Sequence, residues 1–296
     1  PPVFTSQETF TAPENQTAIG TVTATDANSP SIAFSISGSE LSITSDGVLS
    51  FATAPDYETK SSYTATVTAT DGTNSTDQSV TVTVTDVDDE APVFTSSATF
   101  SAAENQTAID TVTATDVDTD NSSISFSVSG SELLITSAGV LTFASSPDYE
   151  TKTSYSATVS ATDGANSTKQ DITVNVTNVN DIAPVFTSTN NFSVVEGQTA
   201  IGTVVASGGD GTALTYSITG GVDIAKFSIN SSSGALTFNS APNFESPGSA
   251  ASSNTYSVPV PATDGTSPVT QSITVNVTDV VESTTIVITT TTFTVN

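Results

Sequence analysis

One pentapeptide is written three times along the chain, and that repetition constrains the fold more than any other feature. Pro2-Val3-Phe4-Thr5-Ser6 returns as Pro92-Val93-Phe94-Thr95-Ser96 and as Pro184-Val185-Phe186-Thr187-Ser188. A repeat close to 90 residues in a chain of 296 residues is the length of a small domain with one core. Three domains in a row are therefore expected, at 1–90, 91–182 and 183–282, and not one large core. The remaining segment, 283–296, reads as an extra C-terminal strand or the start of a further domain.

Within each copy, apolar residues fall at every second position. Thr-Val-Thr-Ala-Thr at 21–25, Tyr-Thr-Ala-Thr-Val-Thr-Ala at 63–69 and Ser-Val-Thr-Val-Thr-Val-Thr at 79–85 are examples. Alternation with β-branched enrichment means half-buried strands. Asp46-Gly47, Pro55-Asp56 and Asp71-Gly72 mark turns between them. No segment has helical periodicity, so each copy is expected to be all-β, a Greek-key sandwich of about seven strands.

Composition narrows the function. The chain has 31 Asp plus Glu against four Lys, with no Arg, and a net charge of -27. Phosphate neutralisation needs Lys and Arg, so nucleic acid is excluded as a partner. No apolar run approaches the roughly 18 to 20 residues of a spanning helix, so the chain is not expected to cross a membrane. There is no Cys, so disulfides do not stiffen the domains, and no His, so the usual base for a Ser or Thr nucleophile is missing. No enzyme is expected. With no Met anywhere, a processed or excised piece is expected.

The acids are concentrated in motifs that keep one order. In copy one these are Glu14 in Pro-Glu-Asn, Asp56 and Glu58 in Asp-Tyr-Glu, and the run Asp86-Val87-Asp88-Asp89-Glu90-Ala91-Pro92. Copy two adds Asp116 and Asp118 in Asp-Val-Asp, and Asp163 in Asp-Gly. In a sandwich entered at one end and left at the other, the first set and the second face each other across a joint. Two carboxylates about 4 Å apart repel by about 4 kcal/mol at an effective dielectric near 20. Oxygen ligands without His or Cys select calcium as the ion that relieves this.

The order Pro-Glu-Asn, Asp-x-Asp, Asp-Tyr-Glu, Ala-x-Asp and Asp-x-Asp/Asn-Asp-x-x-Pro resembles tandem cadherin repeats of the bacterial cadherin-like kind, over roughly residues 1 to 282. The resemblance implies an elongated rod of cadherin/Ig-like sandwiches with up to three calcium ions at each joint. It implies as ligands at the first joint Glu14, Asp56, Glu58, Asp86, Asp88, Asp89, Asp116, Asp118 and Asp163, with the carbonyls of Val87 and Glu90. At the second joint it implies Glu104, Asp148, Glu150, Asn178, Asn180, Asp181, Asp210 and Asp264. Asn178 stands where copy one has Asp86, and Gly208-Gly209-Asp210 replaces Asp116-Val117-Asp118. The second joint is therefore expected to hold one ion fewer, or its outer ion more weakly. At the end of copy three the available ligands are Glu196, Asn243, Glu245 and Asp279, and no full cluster is expected.

The implied function is an extracellular, calcium-stiffened adhesive rod at a cell surface. Its expected partners are other copies of itself, head to tail, or another surface component. The alternatives are a carbohydrate-binding module, against which the absence of Trp speaks, or a passive spacer in a larger secreted protein. Tyr57 and Tyr149 are expected to pack into the sandwich edge. Asn74, Asn105, Asn166 and Asn230 lie in Asn-x-Ser/Thr sites.

Overall fold

The computed structural model describes residues 1–118, 121–208, 210 and 213–282. The strand expected beyond residue 283 lies outside them. Pro1–Thr177 form one compact unit holding two sandwiches, and the chain from Asn178 onward forms a second holding one. Among the described residues there is no α-helix, only two 3-10 turns at Asn121–Ser123 and Ile224–Lys226.

The first copy has nine strands: β1 (Val3–Phe4), β2 (Thr9–Pro13), β3 (Ala18–Thr21), β4 (Ala24–Thr25), β5 (Ala33–Ile36), β6 (Leu41–Ile43), β7 (Val48–Phe51), β8 (Ser62–Thr70) and β9 (Ser75–Thr85). One sheet has the order β2-β9-β8-β5 and the other β3-β7-β6. The expected count of seven becomes nine because two strands are interrupted. β1 pairs antiparallel with β4, then the chain crosses over and β2 pairs parallel with β9. β3 and β4 are separated at Val22, which is fully buried and donates its N–H to the Gly47 carbonyl at 2.8 Å.

That contact explains one glycine. Gly47 has φ +85°, and a Cβ there would lie 2.2 Å from the Val22 carbonyl oxygen. Gly139 and Gly234 meet Val112 and Val204 in the same way.

Each copy has its own core. In the first, Val80, Val82 and Val84 of β9 point inward onto Leu49, Phe51 and Val67. The alternate residues Thr81 and Thr83 lie outside, as period-two patterning requires. Burying such a side chain stabilises by about 1.5–3 kcal/mol. Val112, Leu141, Ile172 and Val174 centre the second core, and Val204, Leu236, Ile273 and Val275 the third. Tyr57 and Tyr149 pack against the first and second cores, as expected.

Candidate metal centre

The site grows from a buried acid. Glu14 follows β2 and is 4% exposed. Its Oε2 accepts the Tyr57 N–H at 2.7 Å and its Oε1 the Val87 N–H at 2.8 Å. One carboxylate thereby ties the Asp-Tyr-Glu turn to the acidic run leaving β9. The next residue, Asn15, has φ +60° and donates its N–H to the Pro55 carbonyl at 3.0 Å. Asn tolerates this left-handed turn, which lets the chain reverse while Glu14 points inward. Its amide then donates to Asp89 Oδ2.

Around this anchor the carboxylates of both copies converge. Oxygens of Glu14, Glu58 and Asp89 lie within 4.8 Å of one another, as do oxygens of Glu58, Asp86 and Asp118. Glu58 belongs to both triads, and Asp118 comes from the second copy. Asp118 Oδ2 accepts the N–H groups of Asp89 (3.1 Å) and Glu90 (2.7 Å), so the second copy also holds the run in place.

Crowding of like charge is visible in the acidities. Asp86 is pushed above the usual carboxylate range by desolvation first, then by Asp118, Glu14, Asp88 and Asp89. Glu58 is pulled down by its own backbone N–H, but desolvation and the charges of Glu14, Asp118 and Asp86 outweigh this and leave it raised.

Two oxygens at the joint have no donor. Asp118 Oδ1 and Asp163 Oδ2 are buried without a hydrogen-bond partner. The other oxygen of Asp163 makes the Asp-Gly turn, accepting from Ala165 (2.7 Å) and Asn166 (2.6 Å). A buried carboxylate oxygen lacking a donor is costly unless a cation faces it. The donor set is all oxygen, so the residues present fit a calcium ion.

Not every expected ligand is turned toward the cluster. Asp56 folds into its own turn, where Thr59 donates from its N–H (3.0 Å) and its hydroxyl (2.8 Å). The Thr59 hydroxyl and then its N–H hold Asp56 below the usual carboxylate range. Asp88 Oδ1 and carbonyl oxygen take the Asn166 amide at 3.3 and 3.2 Å. Val87 and Glu90 contribute their N–H groups to Glu14 and Asp118. Asp116 Oδ1 accepts the Asp118 N–H at 3.0 Å and so shapes the loop. Reading the sequence missed Asn15 and Asn166. The signal for Asn15 was its place directly after the anchoring Glu, and for Asn166 its place in the turn that Asp163 opens.

The second set is divided between the compact units, and each half repeats part of this pattern. In the first unit Glu104 is 3% exposed and accepts the Tyr149 N–H at 2.7 Å. Asp148 is held in its own turn by the Thr151 hydroxyl at 2.8 Å, and Glu150 is exposed. In the second unit Asp210 Oδ2 accepts the Ile182 N–H at 3.1 Å, matching Asp118 and Glu90, while its Oδ1 is buried without a partner. Asn178 and Asp181 are exposed. The Asn180 amide oxygen faces only acceptors, Asp264 Oδ2 at 3.0 Å and Asp210 Oδ2 at 2.6 Å. With the amide turned over, its NH₂ donates to both oxygens.

The third copy brings together three of the four residues named for its end. Glu196, Glu245 and Asp279 bring carboxylate oxygens within 4.8 Å of one another. Glu196 accepts from Phe244 (2.9 Å) and Val280 (3.0 Å), as Glu14 does from Tyr57 and Val87. Those N–H groups, Phe244 first, hold its carboxyl below the usual carboxylate range. Asn243 instead accepts the Ser246 N–H at 2.7 Å.

The cadherin domain family model matches residues 98–177. Protocadherin-1 of Homo sapiens is 32% identical over 272 residues, which cover 80% of this chain and 26% of protocadherin-1. Protocadherin Fat 4 of Mus musculus is 33% identical over 193 residues, 59% of this chain and 4% of that protein. The crystal structure of mouse cadherin-23 EC22-24 superposes with a TM-score of 0.68 at 24% identity, covering 94% of this chain and 99% of that one. The chain is built of tandem cadherin-like repeats. Cadherin domains generally bind calcium, and the acidic clusters of these cadherin-like repeats fall on the loops at the ends of their sandwiches. The chain spans about a quarter or less of the length of these curated relatives.

Proposed function

We propose that the carboxylates between the first and second cadherin-like repeats hold calcium, and that the ion fixes the two repeats to each other. Glu58, Asp86, Asp89 and Asp118 are the central ligands, Glu14 backs them, and Asp163 adds an oxygen from the second repeat. The observation that carries this reading is the double membership of Glu58: it sits in one triad within its own repeat and in another that includes Asp118 of the next. An ion there neutralises charge from two sandwiches at once, so its binding free energy falls on their mutual orientation as well as on each fold.

The wider role is that of an extracellular structural and adhesive segment of three repeats, at 1–90, 91–182 and 183–282. It presents an adhesive surface or joins to further copies. Extracellular modules bind calcium at about 10⁻⁴ to 10⁻³ M. Calcium outside the cell would keep such a segment stiff. The test is a calcium titration by calorimetry of the chain and of Glu58→Gln. Heat of binding that shrinks in the variant supports the reading; no heat from the unsubstituted chain overturns it.

A further inference from the structure

The three repeats differ at one place away from the acidic joints. In the first, Lys60 Nζ lies 2.5 Å from Glu40 Oε1 and 4.4 Å from the centre of the Tyr63 ring. The second has the same closed set, with Lys152 2.5 Å from Glu132 and 4.3 Å from the Tyr155 ring. In the third, Tyr256 keeps the tyrosine position: it pairs across to Val275 as Tyr63 pairs to Val82. The glutamate position has become Lys226. The Glu40 carbonyl accepts the N–H of Ala52 at 2.9 Å, and the Lys226 carbonyl that of Asn239 at 2.7 Å, each donor following the same strand phenylalanine. The lysine position has become Pro247, because Pro242-Asn243-Phe244-Glu245-Ser246-Pro247 lies on Pro55-Asp56-Tyr57-Glu58-Thr59-Lys60. The cation has moved to the position of the acid, and its acid is gone.

Among the described residues Lys226 has no salt bridge. It borders a cavity of about 210 Å³ that also meets Asn239, Asn243, Gly248 and Tyr256. None of the residues lining it is acidic, in a chain with 31 acids. A Cβ on Gly248 would lie 3.5 Å from the Tyr256 hydroxyl and 3.6 Å from Lys226 Nζ, which places the ammonium and the phenol side by side at one wall. Asn243 uses its Oδ1 on the Ser246 N–H, which leaves its NH₂ as a donor. Asn239 is locked by Ser228 (2.6 Å) and Ala225 (2.9 Å) and forms a fixed wall. The loop of residues 246–254 is pinned by the buried Asp223, which accepts the N–H of Ala250 (2.6 Å) in that loop and of Ser257 (2.9 Å) in the strand after it.

We propose that this cavity takes a carboxylate from outside the chain. Lys226, beside Tyr256, then makes with a ligand the ion pair that Lys60, beside Tyr63, makes with Glu40. The carboxylate comes from a small organic acid or from an Asp or Glu side chain of a second copy, and the charge-assisted bond to Lys226 is what selects it.

The test is amide-resolved NMR of the full chain at constant calcium, titrated with sodium glutarate and separately with uncharged glutaramide. Sedimentation velocity over a range of protein concentrations runs in parallel. Glutarate is expected to shift the Gly248 and Asn243 amides saturably, with glutaramide and the Lys226→Gln variant at least tenfold weaker. If the source is a second copy, self-association should appear that Lys226→Gln removes and glutarate competes away. The double variant Lys226→Glu, Pro247→Lys rebuilds the internal pair and should abolish both responses while staying folded. Glutarate shifts that persist unchanged in Lys226→Gln overturn the proposal, as does the absence of both glutarate shifts and Lys226-dependent association.

Discussion

The carboxylate of Asp118 accepts the backbone N–H of Glu90 at 2.7 Å, so an acid of the second repeat holds the chain segment that leaves the first. Its other oxygen, Oδ1, is buried without a donor. One atom positions the linker, and the other is the one that the proposed calcium ion would face.

Asp118→Asn separates these two roles. The amide oxygen can still accept from Glu90, but the charge is lost. Calcium affinity should fall on the order of 10- to 100-fold, while the far-ultraviolet circular dichroism of the sandwiches stays unchanged. Calorimetric titration checks the first and spectroscopy the second.

Glu14→Ala should act on the fold as well as on the metal. It removes the acceptor of the half-buried Tyr57 and the more exposed Val87 N–H groups, at a cost of about 1 kcal/mol each. Thermal unfolding in chelator should show the first repeat melting earlier. Glu58→Gln, on the exposed side of the cluster, should leave that transition in place and weaken only calcium binding.

Legibility from the sequence was uneven, for physical reasons. Strands such as β9 were readable because Val80, Val82 and Val84 alternate with threonines, and alternation is a local property. The crossover between β1 and β2 was not, because Thr5 to Glu8 carry no break; the switch depends on which distant strand offers unpaired backbone groups. The residue types of the cluster were readable, since acids in register at the ends of repeats must meet. Their division of labour was not. Nothing in Asp-Tyr-Glu tells that Asp56 turns back onto Thr59 while Glu58 reaches toward Asp118. Glu196, Glu245 and Asp279 were readable as acids at the end of copy three, but not that Glu196 anchors them as Glu14 anchors the first cluster, because that depends on the backbone N–H groups of Phe244 and Val280.

Acidity gives a signed expectation. The pKa values of Asp86 and Glu58 are raised, so their protonated forms are favoured in the assembled joint. In chelator, the joint should gain stability as pH falls through their raised values and lose it as pH rises. Calcium binding should do the reverse, weakening in a window that begins above the ordinary carboxylate range near about 4. Asp264 is lowered by the Ser267 and then the Thr266 N–H, and its contribution should disappear only at lower pH. Calcium titrations and chelator melts at stepped pH measure both.

Gly47→Ala tests the packing of β7 on β3. The added Cβ meets the Val22 carbonyl oxygen at 2.2 Å with φ at +85°, so the first repeat should lose several kcal/mol in urea unfolding, on the order of the upper end for strained backbone substitutions. Gly38→Ala has the same φ but open space around it, and should cost about 1 kcal/mol.

The central claim is that an ion shared by Glu58 and Asp118 fixes the first two repeats to each other. Because the chain has no cysteine, Ser39→Cys and Ser131→Cys place spin labels at equivalent exposed positions of the two repeats without interference. Electron–electron distance measurement should give one narrow distribution in millimolar calcium and a broad one in chelator, with Asp118→Asn shifting the change to higher calcium. Distributions of equal width with and without calcium would contradict the claim.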